Sequence, residues 1–269
     1  HRLPKIDVKI NCDVKEVLAN LAKKKIYKKT NYLQWVNEIN FYKKNFPISI
    51  KSNFEKSKFV DPYAFFYEMS RASKKNDIII PDASANLIWS MQALQILKKQ
   101  KIFTALNHSP MGYSVPASIG AFFADKRKNI IAIIGDGSMS MNIQELETIK
   151  HYKVNVKIFI INNDGYGLIK QTQDTWLNSE YSGVDKKSGL SLPNFISVAD
   201  AYKIKTIKLK GNSNLRNKIY NALKIKGPVV IDVFVNPKTK VKPKIDFGKP
   251  LHDMSPALDR KVLNSLVKL

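Results

Sequence analysis

The chain contains Ile131-Ala-Ile-Ile-Gly-Asp-Gly137 and, after residues 138–161, Asn162-Asn163, and these two segments are the main basis for predicting its fold. Residues 130–134 form an apolar, β-branched run that stops at glycines, which is the pattern of a buried parallel strand. A second such run occupies residues 156–161, and the residues between the two runs show helical periodicity from 142 to 152. The spacing predicts a strand-helix-strand unit whose right-handed crossover places both strands in one parallel sheet.

The ends of these two strands carry oxygen ligands. Asp136 lies just past the first predicted strand and Asn163 just past the second, so both are expected at the carboxyl edge of the sheet, where such sheets bind ligands. A carboxylate, an amide oxygen and loop carbonyls suit Mg²⁺ or Ca²⁺ better than zinc. The backbone N–H groups of Gly137 and Ser138, ahead of the helix, suit an anion. Each motif alone is typical of a turn, but joined by a crossover of this length the two motifs predict a metal and diphosphate site.

The chain after Asp61 alternates helical and strand patterns. Such alternation predicts an α/β fold with a doubly wound parallel sheet flanked by helices. Asn142 and Glu145 are predicted to cap the helix of the crossover, and residues 170–190 are predicted to form a loop. The predicted helices cover 63–72, 87–97, 112–124, 142–152, 195–202 and 215–224, and the predicted strands cover 77–81, 130–134, 156–161, 206–209 and 229–235.

The pair Gly135-Asp136-Gly137 and Asn162-Asn163 resembles the thiamine diphosphate signature of the superfamily that contains pyruvate oxidases, acetolactate synthases and decarboxylases. Residues 141–149, Met-Asn-Ile-Gln-Glu-Leu-Glu-Thr-Ile, resemble the helix that follows this signature in acetolactate synthase large subunits. Residues 109–120 resemble the segment of those proteins that bends the cofactor. The resemblance covers roughly residues 61–236 and, more weakly, the two ends, and it identifies the chain as similar to the C-terminal portion of such a subunit.

The resemblance implies a set of binding residues. Asp136 and Asn163 match the side-chain ligands of Mg²⁺, and Gly165 matches the residue that offers a main-chain carbonyl. Ala85 and Asn86 fall where the family has a second pair that contacts phosphate, although that pair is usually Gln-His. The implied cofactor-binding set is Ala85, Asn86, Ser109, Pro110, Met111, Asp136, Gly137, Ser138, Asn163, Asp164, Gly165, Tyr166, Gly167 and Leu168.

Three of the matched positions concern the shape of the reaction site. Met111 matches the apolar residue that holds thiamine diphosphate in its bent form, although a lone methionine is by itself typical of core packing. Leu168 falls where acetolactate synthases often carry a second methionine. Thr172 falls where they carry a specificity tryptophan, so a smaller and polar side chain is expected to change the acceptor part of the substrate pocket.

The resemblance also implies what this chain lacks. Superfamily members use a glutamate from a separate pyrimidine-binding domain to activate the cofactor, and no such domain fits in these 269 residues. No catalytic residue is therefore assigned to this chain. It is expected to supply the diphosphate and metal half of the site, as the C-terminal part of a larger enzyme or as one subunit of a split enzyme, in a homo-oligomer, and to be inactive alone.

Four regions are expected along the chain. The first resembles the end of a central Rossmann-like domain, with a strand at 6–10 and a helix from 14 to 21, and the second is a linker with a helix around Trp35 and Tyr42. The last is a turn-rich tail that ends in a short amphipathic helix, either an active-site lid or a loose surface tail. The regions are 1–25, 26–60, the thiamine diphosphate-binding domain at 61–240, and the tail at 241–269.

The formal net charge of +23 favours one other class of function. A basic surface attracts polyanions, and interleaved lysine and tyrosine suit single-stranded nucleic acid. However, arginine, which reads phosphates and bases through its planar fork, occurs only at five positions, and the lysines are scattered along the sequence. We therefore interpret the lysines as mainly a solvated surface and keep a basic nucleic-acid-binding module as the alternative. The arginines are Arg2, Arg71, Arg127, Arg216 and Arg260.

Composition sets the remaining limits. The single Cys12 has no partner for an internal disulfide, and no apolar run approaches the length of a membrane span, so the protein is expected in the cytoplasm without membrane contact. The expected activity is the decarboxylation of a 2-keto acid, pyruvate, with carboligation to a second carbonyl compound, as in branched-chain amino acid biosynthesis. A 2-keto acid decarboxylase without ligation is the alternative enzyme. Whether the enzyme also binds FAD stays open, because nothing in this portion of the sequence supports an FAD site.

Overall fold

The computed structural model describes residues 6–24, 32–97, 99–126, 128–246 and 248–266, and the parts of the predicted regions that fall on the other residues lie outside the described ones. The chain divides into two units, His1–Pro47 and Ile48–Leu269. The first unit contains helix α1 (Val14–Lys23), as predicted, and helix α2 (Leu33–Asn45). Asp13 caps α1 by accepting from Lys15 N at 2.8 Å. The strand predicted at residues 6–10 is wrong: that segment pairs with no described residue, and a lone strand has no ladder to stabilise it.

The second unit is built on a parallel sheet. Its six strands are β1 (Ile78–Pro81), β2 (Lys101–Ile102), β3 (Ile130–Gly135), β4 (Val156–Asn162), β5 (Lys205–Leu209) and β6 (Val229–Phe234). They run in the order β2-β1-β3-β4-β6-β5, and every neighbouring pair is parallel. The predicted pairing of β3 with β4 is confirmed, with Gly135 opposite Ile161. The two-residue strand β2 is not predicted by the sequence pattern.

Helices cover both faces of this sheet, which confirms the predicted α/β fold. Alternate residues of a strand point to opposite faces, and β3 accordingly contributes Ile131 to one buried cluster and Ile130 to the other. The first cluster includes Phe65 and Ile219, and the second includes Leu146. The helices are α3 (Pro62–Ala72), α4 (Ala85–Ala93), α5 (Ser114–Ala124), α6 (Asp136–Met139), α7 (Glu145–His151), α8 (Gly167–Trp176), α9 (Phe195–Ala201), α10 (Leu215–Lys224) and α11 (Arg260–Leu266).

Local sequence explains where some helices begin. Asp61 precedes α3 and accepts hydrogen bonds from Tyr63 N and Ala64 N at 2.8 and 3.1 Å, and Pro62 occupies the first helical position, where its missing N–H costs nothing. The predicted capping role of Asn142 is wrong. The crossover holds two short helices, α6 and α7, and the Asn142 side chain instead donates to Gly112 O at 3.0 Å. A long-range contact has replaced the local cap.

Two further boundaries differ from the prediction. The helix predicted at 87–97 ends at Ala93, and the loop predicted at 170–190 is helical up to Trp176 because α8 extends into it. The tail contains strands β7 (Lys244–Ile245) and β8 (Met254–Ser255), which pair antiparallel, before the expected short helix α11. Among the described residues, no helix has the length and apolar character needed to cross a bilayer.

Candidate functional site

A cleft of about 420 Å³ opens where β1, β3 and β4 end. Every residue of the predicted cofactor-binding set lines it except Pro110 and Asp164. Thr172 is exposed on α8 and does not line the cleft. The cleft also has lining residues that sequence reasoning missed, namely Ala83, Ser84, Trp89, Gly135, Ile161 and Ile169.

The Asp136 carboxylate joins the ends of β3 and β4. Asn163 N–H and Gly165 N–H donate to its Oδ2 at 3.1 and 3.0 Å, and Gly137 N–H donates to its Oδ1 at 2.7 Å. The predicted convergence of Asp136 and Asn163 is therefore present in the structure. Burial raises the pKa of Asp136 to about 7, and the three N–H donors oppose this rise by stabilising the charged form. A carboxylate can accept about four hydrogen bonds, so lone-pair capacity remains for a cation.

The two adjacent asparagines after β4 have different environments. Asn162 donates from Nδ2 to Asp232 Oδ1 at 3.0 Å and accepts from Asp164 N–H at 3.2 Å, so its side chain is used within the fold. Asn163 is 8% exposed, yet its side-chain amide has no hydrogen-bond partner among the described residues. Gly167 leaves space for this amide, because a Cβ there would lie 2.2 Å from Asn163 Nδ2. The Asn163 side chain is thus largely buried, and its unpaired amide is accessible to a ligand from the cleft.

The side-chain amide of a second asparagine, on α4, also lines the cleft. Asn86 is 4% exposed and, within the described parts of the chain, its side chain also has no hydrogen-bond partner. A Cβ on Gly135 would lie 3.0 Å from Asn86 Nδ2, so Gly135 brings the backbone of β3 close to this amide. Ser84, just before α4, has φ 70° and ψ −146°, a conformation that residues other than glycine rarely adopt. Backbone strain at Ser84 and the unpaired amide of Asn86 therefore occur together at this wall of the cleft.

Asp82 holds the segment that carries Met111. It is fully buried after β1 and accepts from Gly112 N–H at 3.0 Å and from Ser114 N–H at 2.8 Å. Gly112 is further fixed by the Asn142 contact. Met111 is 37% exposed at the cleft and is therefore positioned by its neighbours rather than by core packing. Asp82 was not singled out from the sequence, although an acidic residue directly after an apolar strand is a detectable signal.

The Tyr166 side chain covers Gly137, one of the residues predicted to bind the diphosphate. A Cβ on Gly137 would lie 2.0 Å from the Tyr166 ring, so the ring lies against this glycine. The Gly137 N–H, predicted to bind diphosphate, donates to Asp136 in this structure. Leu168, at the start of α8, lines the cleft and leaves an apolar wall beside these polar groups.

The donor set fits a hard divalent cation next to a phosphate group. Its candidate oxygen ligands are the Asp136 carboxylate, the Asn163 amide and the Gly165 carbonyl, which match the preferences of Mg²⁺. The unpaired amides of Asn163 and Asn86 fit a polar ligand, because both side chains line the cleft and have hydrogen-bonding capacity that the described fold does not use. In the described part of the chain, no three His, Cys, Asp or Glu side chains gather as a metal site, so a zinc-type ligand set is absent there.

Residues 82–233, which contain the cleft, match the family model described as thiamine pyrophosphate enzyme, C-terminal TPP binding domain. The chain belongs to this family. Thiamine pyrophosphate is the molecule called thiamine diphosphate above, so the family expectation is confirmed, and the match lies within residues 61–240, where the binding domain is predicted.

Curated relatives support the same family. The chain is 32% identical over 93% of its length to the acetolactate synthase large subunit of Cyanidium caldarium. It is 31% identical over 81% of its length to the mitochondrial acetolactate synthase of Schizosaccharomyces pombe and 26% identical over 84% of its length to acetolactate synthase 1, chloroplastic, of Zea mays. It spans 42%, 32% and 36% of these three relatives, respectively. The matched portion is therefore less than half of each relative.

Proposed function

We propose that this chain binds thiamine diphosphate through Mg²⁺ held by Asp136, Asn163 and the Gly165 carbonyl, and that it contributes this half-site to a 2-keto acid decarboxylation with carboligation. The main support is the buried Asp136 carboxylate beside the unpaired Asn163 amide, in a cleft within the family-matched region. Bound thiamine diphosphate supplies the carbon nucleophile for such chemistry. The residues of this chain bind and orient it.

Each wall of the cleft has a proposed task. Asp136 and Asn163 would hold the cation, which would balance the charge of the diphosphate. Asn86, at the position of the usual Gln-His pair, would donate a hydrogen bond to a phosphate oxygen. Met111 and Leu168 would give the cofactor an apolar contact surface and would limit the access of water to it. No side chain in the cleft is assigned a proton-transfer role, because the activating glutamate is proposed to come from a pyrimidine-binding domain in a homo-oligomer.

Asp136→Ala tests the binding half of this proposal. Because the variant removes the charged ligand, Mg²⁺-dependent affinity for thiamine diphosphate should fall at least about 100-fold, as measured by isothermal titration calorimetry with Mg²⁺ and with EDTA. Glu180→Ala is the matched control, since it also removes one carboxylate, from an exposed position that does not line the cleft. Unchanged Mg²⁺-dependent binding in folded Asp136→Ala would overturn the metal assignment.

The proposal that this chain supplies only half of the active site has a separate test. The 269-residue chain should bind the cofactor but should not turn over pyruvate. Turnover by this chain alone would contradict the proposed need for a pyrimidine-binding domain, without affecting the metal assignment. When that domain is supplied, product analysis separates acetolactate, expected from carboligation, from acetaldehyde, expected from the alternative decarboxylase.

A further inference from the structure

A second concave surface lies away from the cofactor cleft. It has a volume of about 660 Å³ and is formed by residues 56–58 together with residues of the loop and helix from 210 to 218. Four of its seven lining residues are lysines, and none of the seven lines the cofactor cleft. We call it the lysine pocket, and its lining residues are Lys56, Ser57, Lys58, Lys210, Gly211, Ser213 and Lys218.

Neutral contacts fix the two segments of the lysine pocket against each other. Asn212 donates from Nδ2 to Asn53 O at 2.9 Å and to Glu55 O at 3.0 Å, and its Oδ1 accepts from Asp61 N–H at 2.8 Å. Gly211 is buried with φ +67°, and a Cβ there would lie 2.6 Å from Ser57 O. The backbone therefore brings these lysines together, and the pocket is formed before any ligand binds.

The four pocket lysines form no ion pair within the described structure, although Lys210 lies near enough to Asp232 to oppose the rise that burial causes in the pKa of that carboxyl. No carboxylate of a described residue lies within 4.0 Å of any of the four ammonium groups, although eight other ion pairs occur. The groups that contact these ammonium ions are neutral: Lys218 donates to Lys210 O at 2.8 Å, and the Lys210 ammonium lies 4.6 Å from the centre of the Phe234 ring. Like charges around one concavity raise the local potential and favour an anion there.

We propose that the lysine pocket binds an oligophosphate, either inorganic or part of a nucleotide. The volume lies within the range of small-ligand sites, about 300–1,000 Å³. Lysine binds phosphate as a flexible point charge and does not need the bidentate geometry of arginine. Four ammonium groups match the multiple charges of a di- or triphosphate, and the Ser57 and Ser213 hydroxyls are available as further donors. This site is independent of the proposed thiamine diphosphate site.

Calorimetric titration with pyrophosphate and with ATP, at fixed ionic strength, tests the proposal. The titrations contain EDTA because it removes the Mg²⁺-dependent contribution of the cofactor cleft. The wild-type chain should bind at least one of these probes, and Lys56→Gln/Lys210→Gln should weaken the binding at least about tenfold, as expected for a lost charge-assisted contact. Equal affinity for both probes indicates recognition of the phosphates alone, and tighter ATP binding indicates a nucleotide. A second variant, Lys58→Gln/Lys218→Gln, repeats the test if the first does not fold.

The control variant is Lys187→Gln/Lys205→Gln, which removes the same charge from exposed positions outside the lysine pocket. It should keep the wild-type affinity within about twofold. An equal loss in the control would assign the binding to the overall charge of +23 and overturn the proposal. Absence of binding to both probes by the wild type would also overturn it. Salt-sensitive binding of mixed-sequence DNA that depends on the pocket lysines, without pyrophosphate or ATP binding, would replace it with a nucleic-acid surface.

Discussion

Polar side chains are buried at both edges of the main sheet, but they all have hydrogen-bond partners within the fold at only one edge. At the amino edge, Lys157 is fully buried and donates to Asn155 Oδ1 at 2.6 Å and to Gly227 O at 2.7 Å. Asn155 in turn donates to Asn129 Oδ1 at 3.1 Å, and Asp77 accepts from Lys74 N–H at 2.7 Å. These groups form hydrogen bonds with one another and with the backbone, so they need no ligand as a partner.

At the carboxyl edge the pairing is incomplete. Asp82 and Asn162 have partners in the fold, whereas the side-chain amides of Asn86 and Asn163 have none among the residues that the structure describes. Both side chains line the cleft, where a ligand can reach them and supply the missing partners. Fully buried atoms that have no partner in the described part of the chain also occur outside the lining of the cleft, at Glu68 Oε2 and Ser114 Oγ. Burial of polar groups alone therefore does not identify a site, whereas unpaired polar groups that line a cleft indicate one.

Asn155→Ala should have the largest effect, and it should act on stability. The variant leaves the buried Lys157 ammonium with the Gly227 carbonyl as its remaining acceptor, and removing a partner of a buried charge costs about 3 kcal/mol. The free energy of unfolding, measured by urea denaturation, should fall by that amount. Asn217→Ala, on the exposed surface of α10, should change it by less than about 0.5 kcal/mol. A loss below about 1 kcal/mol for Asn155→Ala would contradict a structural role for the amino-edge network.

Asn163→Ala should show the opposite behaviour at the carboxyl edge. Its amide has no partner to lose, so the free energy of unfolding without ligand should change by less than about 1 kcal/mol. Mg²⁺-dependent binding of thiamine diphosphate should weaken by about 2 kcal/mol, roughly thirtyfold, because a contact to a charged group is lost. Thermal unfolding and calorimetric titration of one preparation measure both quantities. Asn162→Ala is the contrasting variant, since it should lose stability through its contact with Asp232.

The sequence pattern was sufficient to predict the central strands of the sheet and the convergence of Asp136 and Asn163. Both depend on long apolar runs, and a run that stops at glycine marks a strand end with little ambiguity. Helix α10 was predicted with its observed bounds, because its apolar residues recur at helical spacing. In contrast, β2 is two residues long and forms only by pairing with β1, and residues 170–175 of α8 are a polar stretch without an apolar signal.

Contacts between distant residues account for what could not be predicted. Asp82 and Gly112 are 30 positions apart, and Asn142 and Gly112 are also 30 positions apart, so neither contact leaves a local pattern. The different roles of Asn162 and Asn163 depend on Asp232, which belongs to another strand. Lys157 interrupts an apolar strand, and its burial depends on Gly227, 70 positions away. Sequence periodicity identifies which residues reach an edge of the sheet, but partners from other elements decide which of them are satisfied.

The smallest expected effect is a pH dependence of stability at the amino edge. Burial lowers the pKa of Lys157 from 10.5 to about 8, and the nearby Asp77 opposes this shift. Between these two values the unfolded chain binds more protons than the folded one, so the contribution of Lys157 to the free energy of unfolding increases as pH rises. From pH 7 to pH 9 the gain should be about 1 kcal/mol.

Lys157→Met removes the titrating group and keeps most of its apolar stem, so the difference in unfolding free energy between wild type and variant isolates this contribution from the other lysines. Urea denaturation of both proteins at pH 7, 8 and 9 measures it. The wild type should gain stability relative to Lys157→Met across this range. A parallel pH dependence of the two proteins would mean that the Lys157 ammonium has the same proton affinity in the folded and unfolded chains. Burial at the amino edge would then carry no electrostatic cost, and the contrast between the two edges would reduce to the unpaired amides alone.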